Sequence, residues 1–417
     1  MHARFAVMMD CEEQPKAEIA VYIHVPFCRA RCAYCDFNTT VGLEAYIPAY
    51  VGAVCAEVEA AGRRWGRMSV ESIYLGGGTP SLLPLERLAA LLTCLRTAFD
   101  VHPQAEITLE ANPGTVTCSS LAGARQLGVN RLSLGVQSAQ ANELAALGRI
   151  HTWADVVEAR HWAREAGFEN VGIDLIFGLP GQRVAAWRDT LQAALSLRPD
   201  HLSLYSLSVE EGTPLAQRIA SGELPAPDDD TAADMLELAE RLLAGQGFFH
   251  YEISNWAALP RSTQRVGRWW PARPAHGAAS EDVSPFVSRH NLTYWRNEPW
   301  LGFGAGAHSW MGGRRWANVS HPQAYIEAQA RRQAPVAECE EIGRRLEIGE
   351  TMMMGLRLAE GVSDVRFRAR FGVGLDEAFG ETLARLAGLR LLTWDGCAVR
   401  LTARGRLLGN QVFAEFL

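Results

Sequence analysis

From Ala20 to about Ser208 the chain alternates short apolar runs with longer stretches in which apolar residues recur at helical period. The runs Ala20–Val25, Ser72–Leu75, Glu106–Leu109, Arg131–Leu134, Val171–Phe177 and His201–Ser206 read as strands. The stretches Ala45–Ala61, Leu85–Phe99, Trp153–Ala166 and Val184–Leu197 read as helices between them. Such alternation predicts an α/β fold with a parallel sheet under covering helices. Six units are too few for a complete eight-fold barrel, so a partial (β/α)6 barrel is expected. The loops after the strands' C-terminal ends should then gather on one face, which is where chemistry is sought.

The pattern changes after Ser208. Asp228–Gln246 reads as a long helix preceded by Pro225 and Pro227. Residues 259–288, rich in Pro, Arg, Trp and Ala, show no sustained apolar period and are expected to be a disordered insertion. Residues 340–417 read as a separate module. Its helices are expected near Ile342–Arg357, Ser363–Phe371 and Leu375–Ala387, followed by a hairpin closed by Asp395-Gly396 and a last helix. Three helices and a wing suggest a winged-helix-like shape. The presumed third helix carries Asp376, Glu377 and Glu381 against Arg385, the wrong sign for a phosphate-facing surface. The domain plan is therefore a tail over 1–19, the partial barrel and its helical extension over 20–258, the insertion, a segment over 289–339 and the C-terminal module.

Composition narrows the chemistry. The formal charge of −7 gives no general attraction to nucleic acid, and none is expected as a partner. Of the 40 basic residues only Lys16 is lysine. It is followed by Ala17 with no glycine near it, which excludes a P-loop, and a Schiff-base lysine in the barrel is excluded with it. The remaining arginines, apart from those in motifs, read as surface charge. The first twenty residues lack the order of an export signal, and no apolar run approaches the roughly eighteen residues of a membrane span, so a cytoplasmic protein is expected. Of nine cysteines, Cys11, Cys55, Cys94, Cys118, Cys339 and Cys397 are scattered singly and read as buried thiols.

The other three follow the first strand as Cys28-Arg-Ala-Arg-Cys32-Ala-Tyr-Cys35. Thiolates are the usual ligands of iron-sulfur clusters, and three of them leave one iron of a four-iron cluster open. A zinc site that adds His24 and an accidental grouping are the alternatives. Arg29 and Arg31 in the same loop would favour thiolate over thiol and offset an anionic cluster. Further on, Gly76-Gly-Gly78 after the second strand would let backbone approach a ligand without a Cβ in the way. Glu110, Gln137 and Asp174 sit at or beyond strand ends, where they can bind an amino group or ribose hydroxyls, or instead cap helices.

Tyr22-Ile-His-Val-Pro-Phe-Cys28, the cysteine spacing and Cys35-Asp-Phe37 resemble radical S-adenosylmethionine (SAM) proteins, specifically the group related to oxygen-independent coproporphyrinogen III oxidase. The likeness continues through Gly76-Gly-Gly-Thr-Pro80, Glu110-Ala-Asn-Pro-Gly114, Gly135-Val-Gln137, Leu147-Gly-Arg-Ile-His-Thr152 and Gly172–Gly181. It goes on through Tyr251-Glu-Ile-Ser-Asn255, Arg289-His-Asn-Leu-Thr-Tyr-Trp295 and Gly302-Phe-Gly-Ala-Gly-Ala-His308. Within the group the chain is most similar to the heme-chaperone branch, HemW. The resemblance implies a radical SAM barrel in which Cys28, Cys32 and Cys35 bind a [4Fe-4S] cluster whose free iron takes the amino and carboxylate groups of SAM. It also implies SAM contacts at Tyr22, Tyr34, Gly77, Glu110 and His308. In the oxidase a second SAM is contacted at positions matching Gly78, Thr79, Gln137, Arg149, Asp174 and Ser206. His24 and His308 are expected to face the cluster, and His151 to be structural.

Two departures separate the chain from the oxidase: Phe37 stands where the oxidase has a fourth cysteine, and the stretch before the first strand is short. The segment Arg289–Trp295 resembles a signature associated with heme in the chaperone branch. There His290 can supply an imidazole to heme iron, Tyr294 and Trp295 can stack on a porphyrin, and Arg289 can pair with a propionate. The resemblance therefore implies heme as a ligand and a heme-acceptor protein as partner, in the class of membrane-associated respiratory or storage proteins, with a homodimer as an option. Oxidase activity and a methyl-transferring, heme-degrading enzyme are the competing readings.

Overall fold

The computed structural model of the chain describes residues 18–260 and 283–417. Lys16, the rest of the expected tail up to residue 17, Cys11 and residues 261–282 of the expected insertion lie outside the described residues. Six strands form where the apolar runs placed them: β1 (Glu18–Val25), β2 (Ser69–Gly77), β3 (Asp100–Ala111), β4 (Arg131–Gln137), β5 (Asn170–Phe177) and β6 (His201–Ser206). They pair in chain order, each neighbour parallel. The helices α1 (Ile47–Trp65), α2 (Leu85–Ala98), α3 (Cys118–Gln126), α4 (Trp153–Glu165) and α5 (Val184–Ser196) connect them, and α6 (Asp229–Gly245) follows β6. Sequence chemistry sets two helix starts: Thr117 and Thr152 accept the N–H groups of Ser120 and Asp155, each closing a capping box.

The sheet extends further than six strands. Strands β7 (Phe248–Glu252) and β8 (Asn255–Ala258) add antiparallel at the β6 edge. Helix α7 (Arg289–Trp295) follows, and β9 (Trp300–Phe303) then runs parallel to β1 at the other edge, with Tyr22 opposite Gly302. Strands β10 (His308–Met311), β11 (Arg314–Asn318) and β12 (Val336–Glu341) complete a mixed sheet of twelve. The seventh parallel strand is only four residues long, too short for periodicity to reveal. The flanks of the expected insertion are packed, with Leu259, Val283 and Val287 buried in one cluster beside Tyr251 and Leu292.

The strands sort their side chains at period two. On one face Ile107, Leu109, Leu132, Leu134, Ile173 and Leu202 join the core under the helices. On the other face stand Glu106, Thr108, Glu110, Arg131, Ser133, Asp174, His201 and Ser203; Ser133 and Ser203 hydrogen-bond Asp174 from the strands on either side, and Arg131 reaches His201 two strands away. This inner face is closed at the strands' N-terminal end by α7. The Glu106 carboxylate accepts the N–H groups of Arg289 and His290, each at 3.2 Å, and the Tyr251 hydroxyl accepts that of Ser288 at 3.1 Å. A carboxylate at the start of a helix is electrostatically favoured.

Arg131 corrects the expectation that arginines outside the motifs are surface charge: it is 2% exposed. It donates to Nδ1 of His201 at 3.4 Å, which leaves the proton on Nε2, 2.8 Å from the Tyr251 hydroxyl. Glu106 and Asp174 face it and hold its charge against the cost of burial. The scattered cysteines are also corrected. Cys118, Cys339 and Cys397 are exposed, and Cys55 and Cys94, packed against the main core where α1 meets α2, are half-buried.

The C-terminal module has its own core, with Met352, Phe367, Phe371, Leu383, Val399 and Phe413 at its centre. Helices α8 (Arg344–Gly355), α9 (Asp364–Phe371) and α10 (Leu375–Gly388) pack on a three-stranded sheet of β13 (Val362–Ser363), β14 (Leu392–Trp394) and β15 (Ala398–Leu401), with β15 central. The Asp395 carboxylate accepts two backbone N–H groups, and Gly396 takes a φ of 83°, which closes the expected hairpin. The single last helix expected from the sequence is two short ones, Ala403–Leu407 and Gly409–Phe413. Among the described residues no helix is long and apolar enough to cross a membrane.

Arg131→Met leaves Glu106 and Asp174 facing each other without a cation. Denaturant unfolding is expected to show a loss of about 3–5 kcal/mol; an unchanged midpoint would mean that the buried charge is not needed.

Candidate cluster and cofactor site

Pro26 ends β1 and the chain enters the cysteine loop at the C-terminal end of the sheet. Three neighbours hold that loop. Phe27-Cys28 pairs with Thr40-Val41, the Ala33 N–H donates to Leu147 O at 3.0 Å, and the Leu215 N–H donates to Ala33 O at 2.8 Å. Gly148, at a φ of 71°, packs against the backbone of Ala33, where a Cβ would come within 3.2 Å of Ala33 N. Tyr34 packs among Leu147, Ile176, Leu179 and Leu207.

Cys28 is buried, and Cys32 and Cys35 are half-buried. Thr79 donates its hydroxyl to Cys28 Sγ at 3.5 Å and Arg149 donates to Cys32 Sγ at 3.4 Å. Burial pushes the Cys28 and Cys35 thiols up, and the negative charge of neighbouring thiols adds to this in each. The cation on a sulfur is therefore Arg149. Arg31 opposes the burial-driven rise of the Cys35 pKa, as expected, while its hydrogen bond goes to the Cys35 carbonyl at 3.3 Å; Arg29 donates to the Gly114 carbonyl at 3.4 Å. Among the described residues no group of three or more His, Cys, Asp and Glu side chains is drawn together tightly enough to hold a metal ion. His24 is committed elsewhere: Nδ1 meets the Tyr22 hydroxyl at 2.9 Å and Nε2 the Asn38 carbonyl at 2.8 Å. That argues against His24 as the fourth ligand of a zinc site. Three thiols, an adjacent guanidinium and an exposed Phe37 in place of a fourth thiol fit an anionic cluster with an open iron.

Beside this loop the strand ends bring the other candidates together. Glu110 accepts from the Tyr74 hydroxyl at 2.7 Å and from Gly77 N at 3.1 Å. Burial pushes its pKa up to about 7; Tyr74 and Gly77 oppose that rise and Asp174 reinforces it. The glycines beside it have a reason other than ligand approach. A Cβ on Gly77 would fall 2.4 Å from the His24 ring, and one on Gly78 would fall 2.8 Å from the Val25 and Phe27 carbonyls. Gln137 lies at a break in register between β4 and β5 with a φ of 69°, a bulge that re-aims its side chain over Gly135. There it meets Asn112 and Arg149, whose guanidinium also donates to Asn112 Oδ1 and to the Gly135 carbonyl. Arg29, Cys32, Thr79, Asn112, Arg149 and His151 line one cleft. His151 is buried, with Nε2 against the Val136 carbonyl at 3.1 Å.

Asp174 receives the Ser133 hydroxyl at 3.1 Å; burial raises its pKa, while Ser203 and Arg131 oppose that. Ser206 is exposed at the end of β6, paired in register with Phe177. The Gly302–His308 turn is anchored from α1, where Glu57 accepts from Gly304 N at 3.0 Å and from Asn318 Nδ2 at 2.7 Å. This sets the exposed His308 at the start of β10, near His24, whose pKa burial lowers and His308 lowers further. Tyr22 stacks on Tyr74 at 6.3 Å.

The Arg289–Trp295 segment lies at the opposite end of the inner face. His290 is 1% exposed, stacked on Tyr74 at 5.0 Å, and both its ring nitrogens are engaged, by Ser72 at 3.0 Å and Tyr294 at 2.9 Å. Burial lowers its pKa to about 3. Tyr294 and Trp295 are half-buried, and Arg289 is exposed and donates to Gln104 O at 3.2 Å. His290 and Tyr294 are thereby tied to β2 and to each other within α7. Sequence reasoning passed over Tyr74, which joins Glu110 to His290, and Asn112, which donates to the Thr79 hydroxyl at 3.0 Å. Asn112 stands within the Glu110–Gly114 motif, and strand alternation from Ser72 marks Tyr74 as inward-facing.

Residues 22–194 match the radical SAM superfamily model and residues 347–408 that of the HemN C-terminal domain. The chain is 37% identical to the heme chaperone HemW of Bacillus subtilis (strain 168), covering 95% of this chain and 99% of that protein. It is 39% identical to the heme chaperone HemW of Mycobacterium tuberculosis (strain ATCC 25618 / H37Rv), covering 97% and 96%. Among solved structures it superposes on the radical SAM enzyme coproporphyrinogen III oxidase (HemN) of Escherichia coli with a TM-score of 0.79 and 24% identity, over 97% of this chain and 91% of that one. That likeness establishes the fold, a radical SAM barrel with the C-terminal module. With its cysteine loop, its sheet and its full-length relatives in agreement, the chain belongs to the HemW family within the radical SAM superfamily.

Proposed function

We propose that the chain is a cytoplasmic heme chaperone, which binds heme and passes it to an acceptor protein while carrying a SAM-coordinated [4Fe-4S] cluster. The observation that carries this reading is the likeness over nearly the whole chain to proteins named heme chaperones. Phe37, in place of the oxidase's fourth cysteine, supports it against decarboxylation. The acceptor is expected among membrane-associated respiratory or storage proteins, and a homodimer is part of the reading.

In this proposal Cys28, Cys32 and Cys35 hold the cluster, and the Arg149 guanidinium offsets its negative charge. The Glu110 carboxylate takes the amino group of SAM, with Tyr22, Tyr34, Gly77 and His308 around it. When bound, the cluster and SAM supply one-electron chemistry. A single SAM is favoured over two, because Thr79 and Arg149 already serve sulfurs, Asp174 serves Ser133 and Gly78 is packed against carbonyls. For heme, axial ligation by His290 requires α7 to leave its seat and give up the Ser72 and Tyr294 hydrogen bonds, at about 1 kcal/mol each besides lost packing. Arg289 is already exposed for a propionate.

Three outcomes test the reading. After anaerobic reconstitution, Cys28→Ser, Cys32→Ser or Cys35→Ser is expected to abolish the iron-sulfur absorbance, and retention of a four-iron cluster in all three would refute the ligand set. Glu110 is a carboxylate above its pKa of about 7 and neutral below it, so SAM affinity by calorimetry should be level at higher pH and fall by up to tenfold per unit below. Glu110→Gln should flatten that profile; a wild-type profile level from pH 6 to 8 counts against the role. Finally, His290→Ala should weaken heme binding at least tenfold with the cluster intact. Unchanged heme affinity would assign α7 to packing alone, and protoporphyrinogen formed from coproporphyrinogen III would replace the chaperone reading with the oxidase.

A further inference from the structure

Away from the cluster face, two thiols meet where α1 packs on α2. Cys94 on α2 donates its thiol to the Cys55 carbonyl on α1 at 3.4 Å, which brings the two thiols near enough for each to shift the other's pKa. Cys55 Sγ in turn lies 4.0 Å from the Ala90 carbonyl. Both are half-buried at the rim of the main core, which leaves them open to a small reagent yet held in place by the packed helices. Cys118, Cys339 and Cys397, by contrast, are exposed.

We propose that Cys55 and Cys94 form an oxidisable dithiol, a modification site that closes to a disulfide stapling α1 to α2 when it meets a low-molecular-weight disulfide such as oxidised glutathione. The adjacent Cys94 thiol lowers the pKa of Cys55, whereas that of Cys94 is raised by Cys55 and by burial. Cys55 is therefore the attacking sulfur. It displaces one glutathione thiolate and becomes a mixed disulfide. The Cys94 sulfur, on losing its proton, attacks Cys55 and releases the second glutathione. Two protein thiols are oxidised and one glutathione disulfide is reduced to two glutathione molecules. The stapled loop contains β2 and the Gly77–Thr79 turn that hydrogen-bonds Glu110 and Cys28. Oxidation would therefore brace the strand that carries part of the cofactor face.

The experiment treats cluster-loaded protein with oxidised glutathione under anaerobic conditions and maps non-reduced peptides by mass spectrometry, with cluster absorbance recorded throughout. One linkage joining the Cys55 and Cys94 peptides is expected. Cys94→Ser should trap glutathione on Cys55, and Cys55→Ser should leave Cys94 largely unmodified. Absence of the linkage while Cys118 or Cys339 is glutathionylated would overturn the proposal, as would equal labelling of the two single variants. Should either variant fold poorly, iodoacetamide competition on the wild type decides: Cys55 must react several-fold faster than Cys94, and equal rates sink the assignment.

Discussion

The buried guanidinium of Arg131 is the constraint around which the inner face of the sheet is arranged. Burying a cation is tolerable only where opposite charge and hydrogen-bond acceptors compensate. Here Glu106 and Asp174 face it and the neutral ring of His201 accepts from it. Glu106 is simultaneously used by α7, whose first N–H groups it receives. One ionic group thus couples three parallel strands to the helix that closes the end of the sheet. The apolar half of each strand packs under the helices, as in any α/β protein. The polar half gives this one its interior.

The opposite end depends on a second arginine. Arg149 reaches the Cys32 sulfur, the Asn112 side chain and the Gly135 carbonyl, so the cysteine loop, the end of β3 and the end of β4 share one cation. A planar fork can satisfy several acceptors in different directions, which an ammonium on a flexible stem does less well. In a chain with 40 basic residues of which only Lys16 is lysine, both structural cations of the inner face are accordingly arginine. Tyr74 connects the two ends, with its hydroxyl on Glu110 and its ring on His290.

Much of this was legible in advance. The six parallel strands, the cysteine spacing and the Asp395-Gly396 hairpin all follow from local pattern, and each formed where expected. The seventh parallel strand did not show, because four residues carry no measurable period and its partner β1 lies far away in the chain. The glycines of the Gly76–Gly78 turn also serve packing: a Cβ on Gly77 or Gly78 would meet the His24 ring or two carbonyls. Arg31 lowers the Cys35 pKa against burial as its place in the loop suggested, but the arginine that hydrogen-bonds a sulfur, Arg149, comes from a distant segment.

The sequence by itself determined which residues could do chemistry: three thiols at fixed spacing on one loop, acidic and amide groups at strand ends, and no lysine to take their place. Those are properties of local spacing, and spacing survives any tertiary arrangement. Tertiary structure decided access and partnership. It buried His290 with both nitrogens engaged, placed Arg149 rather than Arg29 on the Cys32 thiol, and set Cys55 beside Cys94. Each of those outcomes depends on which helix or strand crosses another, a relation between distant segments that no local pattern encodes.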